Sequence, residues 1–491
     1  MFTAKALGSP AVPPRRSVPV WLIPMLWTHA LGLWGLSRQN SVWRDEAATW
    51  QVARRSTAET VRLLENVDVV HGCYYLLMHG LFSCFGPGTT TLRLPSVLAM
   101  GVAAACVAVI GRRLAGAVAG LAGGMAFGLL PAVQFHLQEG RPYALVTAGA
   151  AIATLLLVTV VRGRAGAVHW VGYGGAVLVC GLLNWLSLLM LPAHLVTLVL
   201  TRAGRGVWAR WATASAVAVA GVAPLALFSQ GQAAQVSWIP PLTWHMMIGP
   251  AVLLLIAGVG AVLERPRAGR VSVAAVGLPL LAVPQLGLIG ASLVQPLFLE
   301  RYVLFSLLGL ALLIGTAVGA AVRAVRPRLP EVSRWLLPAT VAVATVALLP
   351  QSLAVRSPAS RVDDVLAIAS DVRRMKKRTG GAVLFVPAAR RDTASVSPEA
   401  FTGLRDIALS ESPEASGTLK GVEAAPDRIR AAMLSQRRIL LVTDAPGTAR
   451  PVTAERDRVK ISVLRGHFRP VADERVRGRR VTVYERLVPA R

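Results

Sequence analysis

The sequence predicts a polytopic α-helical membrane protein with a water-soluble α/β domain at its C-terminus. Three observations carry that prediction. The 491 residues are 54% hydrophobic and only 16% charged, with a mean hydropathy of +0.55, too apolar for a chain of this length folding in water. Up to Gln351 the apolar residues are gathered into one run after another, each close to the roughly 20 residues a helix needs to cross a bilayer. That supply then stops. From Arg356 to Arg491 short apolar runs alternate with charges and Pro, Gly and Asp/Ser turns, and none is long enough to span.

Taken in order, the first run is Val18–Leu36, preceded by Lys5, Arg15 and Arg16. It resembles a signal peptide, but it is long for one, and Ser37-Arg38-Gln39-Asn40 follows instead of a small-x-small cleavage site. It is expected to remain as the first span. Further spans are expected near 92–111, 114–131, 143–161, 170–184, 187–201, 211–228, 247–263, 271–293, 302–322 and 335–351. The stretch 170–201 reads as two short helices turning at Asn184-Trp185 rather than one long helix, because that choice sorts the loop arginines. Arg112/Arg113, Arg162/Arg164, Arg202/Arg205/Arg210, Arg265/Arg267/Arg270 and Arg323/Arg326/Arg328/Arg334 then share one side. Lys and Arg in short loops mark the cytoplasmic face. The expectation is therefore a cell-membrane protein of about eleven spans over residues 1–355, with a cytoplasmic N-terminus and an extracytoplasmic domain over 356–491.

The other face carries acids and aromatics as well as bases. Its largest connection, 37–91, holds Trp43-Arg44-Asp45-Glu46-Ala47-Ala48-Thr49-Trp50, an amphipathic stretch from Ser56 to Asn66, and then Asp68, His71 and Tyr74-Tyr75-Leu76-Leu77-Met78-His79. The apolar segment Tyr74–Phe85 is too short to span and is expected to lie along the interface or re-enter the cavity. Gln134–Tyr143, Ser229–His245 with Trp238 and Trp244, and Val294–Tyr302 are the remaining outer connections.

An Asp-Glu pair after the first span, a downstream Asp with His-x-x-Tyr-Tyr-Leu-Leu, the run Glu139-Gly140-Arg141-Pro142-Tyr143-Ala144-Leu145, and Glu300-Arg301-Tyr302 follow one another on that face. In this order they resemble the GT-C glycosyltransferases, in the branch related to protein O-mannosyltransferases and to the enzyme that transfers aminoarabinose to lipid A, called glycosyltransferase family 39 in bacteria. The likeness extends over most of the chain and is strongest over 40–150. His71-Gly72-Cys73 departs from the family's frequent His-Pro-Pro, and Gly140 stands where Ala is commoner. The resemblance implies a GT-C membrane domain, a polyprenyl-phosphate sugar donor, and Asp45 as catalytic base.

The residues also answer to the chemistry of such a transfer. Moving a sugar from a lipid phosphate to a hydroxyl passes through a transition state with oxocarbenium character. The leaving phosphate needs no general acid, so one carboxylate as base and cations for the phosphate suffice. Asp45 lies where the first span meets the outer face and is the first choice for that base. Glu46 ranks below it, since adjacent helical positions diverge by roughly 100°. An Asp followed by Glu-Ala-Ala-Thr-Trp also suits a helix N-cap. Asp68 reads either as a turn residue or as a positioning acid. Arg141 and Arg301, with Tyr302 as hydroxyl donor, are the candidates for the phosphate, because guanidinium forks match its oxygens; arginines at span ends also snorkel to headgroups. Glu139 is a candidate partner for Arg141, His71 a structural or substrate-binding histidine, and Gln138 and Tyr143 cavity lining. Trp238 and Trp244 read as an aromatic belt. No cofactor is expected; a divalent ion held by Asp45, Asp68 and Glu139 is the alternative these acids leave open.

The C-terminal region reads as a helix near Val362–Arg378, a strand at Ala382–Pro387, a helix at Asp427–Gln436, and strands at Arg438–Asp444 and Val481–Leu487. It contains neither GxGxxG nor GxxxxGK[ST], which argues against a nucleotide. The chain's net charge is +27, and the domain's clustered bases Arg373, Arg374, Lys376, Lys377 and Arg378, with Arg477, Arg479 and Arg480, read first as a solvated surface and otherwise as a match for anionic headgroups or an anionic envelope polymer, not nucleic acid, in a protein whose expected partners are membrane lipid, a lipid-linked donor and an extracytoplasmic acceptor. Cys73 and Cys84, about 16 Å apart if the segment is helical, are not expected to bridge. The sequence thus points to an inverting membrane glycosyltransferase, with mannose the first sugar to consider on family analogy. A lipid-linked sugar flippase or transporter, and a noncatalytic envelope scaffold, are the alternatives; a transporter calls for ionisable residues inside its spans.

Overall fold

A computed structural model of the chain describes residues 19–36, 41–163, 166–232, 237–264, 271–361, 363–449 and 451–487. Lys5, Arg15, Arg16, Val18, Ser37–Asn40, Arg164, Arg265, Arg267, Arg270 and Val362 lie outside the described residues. The chain runs from α1 (Leu22–Leu33) into an outer segment folded as α2 (Arg44–Ala53), α3 (Thr57–Asn66) and α4 (Gly72–Phe85), then through α5 (Thr89–Ala115), α6 (Ala117–Leu129) and the short α7 (Pro131–His136). The bundle continues with α8 (Tyr143–Val161), α9 (Ala167–Leu183), α10 (Met190–Leu200), α11 (Arg205–Gln230), α12 (Ile248–Leu263), α13 (Val273–Ser292), α14 (Leu307–Val325), α15 (Pro330–Ala347) and α16 (Leu349–Arg356).

Among the described residues six helices are long and apolar enough to cross a membrane, and a seventh span forms if α15 and α16, bent by 50° at their junction, count as one. Each expected span coincides with an apolar helix, but α1, α6, α9 and the segment Trp185–Leu200 are shorter than a full crossing requires. The count of about eleven is to that extent corrected. Local chemistry accounts for the shortening. α6 starts after Gly116 at φ 98° and stops before Pro131, and α9 ends at Asn184, whose Oδ1 accepts from Leu186 N at 3.2 Å. The turn expected at Asn184-Trp185 is therefore present.

Small residues set the bundle's tightest contacts. A Cβ at Gly120 would stand 2.4 Å from the Ala108 carbonyl oxygen, and one at Gly315 2.4 Å from that of Ala119, so α5 and α14 close directly on α6. At one end of the bundle the arginine loops meet: Arg113 Nη1 donates to Thr159 Oγ1 at 2.5 Å, Arg162 to the Arg113 carbonyl, and Arg323 Nη1 to the Ala115 carbonyl at 3.1 Å. The outer segment packs at the other end. α3 begins with a capping box between Ser56 and Glu59. α4 buries Tyr74, Tyr75, Met78 and Phe82 while exposing Leu76, Leu77 and Phe85, the two-faced pattern of a helix lying against lipid.

The C-terminal part contains α17 (Ala367–Met375), β1 (Ala382–Val386), α18 (Asp392–Val396), α19 (Pro398–Phe401), β2 (Arg405–Asp406), β3 (Leu409–Glu411), β4 (Val422–Glu423), α20 (Pro426–Leu434), β5 (Arg438–Asp444), α21 (Glu455–His467), β6 (Phe468–Val476) and β7 (Arg479–Arg486). The main sheet has the order β2-β1-β5-β7-β6, with β1 parallel to β2 and β5 and the β5-β7-β6 side antiparallel. Alternate residues serve opposite faces. Val383, Phe385, Leu440 and Val442 pack against α17, whereas Leu384, Val386, Ile439 and Leu441 pack against α20 and α21. The result is an α/β layer structure, as expected, though the sequence reading passed over α21 and β6 and made the first helix too long.

This domain docks onto the outer segment. Val42 N donates to Asp364 Oδ1 at 3.0 Å, Gln51 Nε2 to the Leu419 carbonyl at 2.8 Å, and Arg55 Nη2 to the Thr418 carbonyl at 2.7 Å. Arg361, buried, donates to the Gln138 carbonyl at 2.7 Å and lies over the Phe135 ring at 4.1 Å. Domain and outer segment therefore occupy the same side of the bundle.

Candidate active site

The site grows from α2. Trp43, in extended conformation, is the N-cap residue and makes no side-chain cap, so Asp45 is a second-position residue without capping duty. Its carboxylate turns to Arg301, with Nη1 to Oδ2 at 3.0 Å and side-chain exposures of 15% for Arg301 and 19% for Asp45. One position on, Glu46 points elsewhere. Arg93 grips it from α5, Nε to Oε1 at 2.7 Å and Nη2 to Oε2 at 2.6 Å, both side chains being 0% exposed. Gly140 N adds a third donor at 2.8 Å. This pair locks α2, α5 and the turn before Arg141 together. Glu46, ranked in the sequence among the catalytic acids, is committed to Arg93.

That lock presents Arg141. Its Nη1 donates to the Asp45 carbonyl at 3.2 Å and to Thr49 Oγ1 at 3.3 Å, and its Nη2 to His71 Nε2. His71 is thereby an acceptor at Nε2, with its proton on Nδ1. Burial, aided by the neighbouring Arg141 charge, drives its pKa down to about 3. Glu139 does not hold Arg141 as expected; it pairs with His136 through Oε2. Burial alone would raise the Glu139 carboxyl, but His136 and then Arg361 outweigh it and hold the pKa at about 2. The separation follows from the turn between α7 and α8, in which His136 lies three residues before Glu139. Gln138 donates to the Gly32 and Trp34 carbonyls at 2.8 and 2.9 Å, tying that turn to α1.

Asp68 has a left-handed backbone, φ 64°, tolerable for Asp at a turn. Its side chain is engaged too: Oδ2 accepts from the Tyr75 hydroxyl, and Oδ1 lies 3.9 Å from His71 Nε2. On the opposite wall Arg301 stands among four aromatic rings, with its guanidinium carbon 5.8 Å from the Trp43 and Tyr143 centroids, 5.7 Å from Trp238 and 5.9 Å from Tyr302. Trp238, read from sequence as part of an aromatic belt, stacks on a site arginine instead. Four outer connections thus converge on Asp45. Several buried polar atoms here have no hydrogen-bond partner among the described residues: Nδ1 of His71, Nε of Arg141 and Arg301, the Tyr74 hydroxyl and Oε1 of Glu139. Among those residues, no group of three or more His, Cys, Asp or Glu could hold a metal ion.

The crystal structure of ArnT from Cupriavidus metallidurans in the apo state matches with a TM-score of 0.61 at 13% identity, covering 94% of this chain and 97% of that one. The chain has the GT-C fold. ArnT from the same organism bound to undecaprenyl phosphate matches with a TM-score of 0.52 at 13% identity, over 95% of this chain and 98% of that one. The apo oligosaccharyltransferase of Archaeoglobus fulgidus gives 0.49 at 11% identity, over 87% of this chain and 69% of that one. No protein-family model and no curated protein matches the chain. Within this GT-C fold the sequence-derived residues Asp45, Arg141, Arg301, Tyr302, Tyr143, His71 and Asp68 form one cluster, while Glu46 and Glu139 stand behind it in ion pairs. Sequence reasoning missed Arg93 and His136. Arg93 carried a signal, being a lone charge at the start of an apolar run, which a bilayer tolerates only where it is paired or functional.

Proposed function

We propose that the chain is an inverting membrane glycosyltransferase that takes a sugar from a polyprenyl monophosphate on the extracytoplasmic side and passes it to an acceptor hydroxyl. The observation that carries this reading is the Asp45–Arg301 pair at 3.0 Å, a base and a phosphate-binding cation held together beside Arg141. The Nε donors of Arg141 and Arg301, without partners among the described residues, and the Tyr302 hydroxyl take the phosphate oxygens. As Arg301 turns toward the phosphate, Asp45 is released to accept the proton of the acceptor hydroxyl. The acceptor oxygen bonds to the anomeric carbon as its bond to the phosphate oxygen breaks, and polyprenyl phosphate leaves with that electron pair. Attack opposite the leaving group inverts the anomeric centre.

Asp68 and Tyr75 position the acceptor side, His71 holds Arg141, and Glu139 with His136 supports the Tyr143 wall, where the His136 and Tyr143 ring centroids are 5.8 Å apart. The ArnT structure with undecaprenyl phosphate supports a lipid phosphate as the donor's anchor. The arginine-rich end of the bundle supports a cytoplasmic assignment for that face, with the C-terminal domain outside. Mannose is the first sugar to test, in a family 39-like reaction. The chemistry calls for no cofactor. The test is transfer of radiolabelled sugar from a panel of polyprenyl-phosphate sugars into membrane products by the purified protein in vesicles. Incorporation from one donor is expected; none from any donor overturns the reading.

A further inference from the structure

The chain leaves β1 for β2 on one flank of the sheet, while β5 lies on the other. The carboxyl ends of β1 and β5 therefore open a crevice at a topological switch point, where α/β sheets take their ligands. A cavity of about 710 Å³ occupies it, within the size range of small-molecule sites. Its lining includes the buried Arg390 and Asp444, the exposed Lys420, Thr453 and Arg456, and the half-buried Arg44. Arg44 opens α2 and is the residue before Asp45. The cavity thus lies between the C-terminal domain and the first turn of α2, one residue from the proposed base.

Its charges are unevenly satisfied. Asp444 is bound by Arg390, Nη2 to Oδ2 at 2.8 Å; Glu423 by Lys460 at 2.6 Å and Arg391 at 2.7 Å; and Asp457 by Lys460 at 2.8 Å. Arg44, Lys420 and Arg456 form no ion pair among the described residues, and Glu455 is the single lining acid in that condition. The lining carries four cations and four acids, so the imbalance lies in the side chains without an ion-pair partner among the described residues, three cations against one acid. Among the described residues the lining includes no aromatic, Leu or Ile side chain; its apolar members are Pro, Ala, Val and Gly.

We propose that this cavity binds the acceptor and that the acceptor is a saccharide bearing anionic groups, its hydroxyls led past Arg44 to Asp45. The inference rests on the transferase reading and adds its second substrate. Binding of trigalacturonate, a soluble anionic trisaccharide, and of neutral maltotriose to the full-length protein in detergent is measured by calorimetry. Trigalacturonate is expected to bind in preference to maltotriose, and the double variant Lys420→Ala/Arg456→Ala to lose at least tenfold in affinity. Arg373→Ala/Lys377→Ala, which removes exposed cations elsewhere on the domain, is expected to leave binding unchanged. Equal binding of the two trisaccharides, or equal loss in both double variants, overturns the inference whether or not sugar transfer is seen. Transfer absent from every donor with trigalacturonate binding intact and selective overturns the transferase reading alone.

Discussion

Two adjacent acids on α2 are expected to fail in opposite ways. Glu46→Gln removes the charge that balances Arg93 where both side chains are 0% exposed. The amide keeps one acceptor but turns an NH2 group toward the guanidinium, so contacts at 2.7 and 2.6 Å are replaced by a buried and uncompensated charge. Breaking such a pair costs about 3–5 kcal/mol. At ~2 °C per kcal/mol for a large domain, the thermal midpoint should fall by roughly 6–10 °C. Asp45→Asn breaks a pair whose members are 19% and 15% exposed, and solvent screening limits that loss to about 1 kcal/mol. Thermal unfolding of both variants in detergent, followed by intrinsic fluorescence, makes the comparison. Replacing the inner pair with apolar residues, Glu46→Leu with Arg93→Met, should recover much of the loss, because no charge is left stranded. Equal midpoints for Glu46→Gln and Asp45→Asn, or a larger fall in the latter, would refute the assignment of Glu46 to the scaffold.

Other expectations follow from the same geometry. His71 titrates near 6.5 when unfolded and near about 3 in the fold, so between those values the unfolded chain binds the extra proton and stability falls as the pH is lowered. Glu139, ordinarily 4.5 and held at about 2, also loses its contribution on acidification, but only below about pH 4.5. The slope of the thermal midpoint between about pH 6.5 and 5 should therefore flatten in His71→Gln, and an unchanged slope would contradict the neutral histidine. Arg141→Lys loses the fork that joins the Asp45 carbonyl, Thr49 and His71; one charge-assisted bond is worth ~1.5–3 kcal/mol. Donor kcat/KM should drop by at least about tenfold, and full activity would remove Arg141 from the donor site. Gly120→Val should destabilise the bundle by about 1–3 kcal/mol, seen as a lower midpoint, because its Cβ meets the Ala108 carbonyl at 2.4 Å.

The helical bundle was legible because apolar runs report burial directly, and Asn184 marked its break because an amide competes for backbone partners. The clustering of Asp45, Arg141 and Arg301 was legible from their common face and their order. The partners behind them were not. Helical geometry separates Asp45 from Glu46, but nothing local names Arg93, 47 residues away, as the group that claims one of them. In the C-terminal domain α21, Glu-Arg-Asp-Arg-Val-Lys-Ile-Ser-Val-Leu-Arg-Gly-His, is too charged for its buried face to show as a period. β6 was hidden by Pro470, which an edge strand tolerates, at a register shift against β7. The docking of this domain through Arg361 and Asp364 is a tertiary fact without a local pattern.

Asp45 is the proposed base of a sugar transfer from a lipid phosphate. Its most direct test is single-turnover transfer of radiolabelled sugar from a polyprenyl-phosphate donor, comparing wild type with Asp45→Asn at equal folded concentration, each with and without EDTA. Transfer is expected to fall by at least about 10²-fold in the variant, with donor binding retained and EDTA without effect. Transfer by Asp45→Asn at the wild-type rate would contradict it.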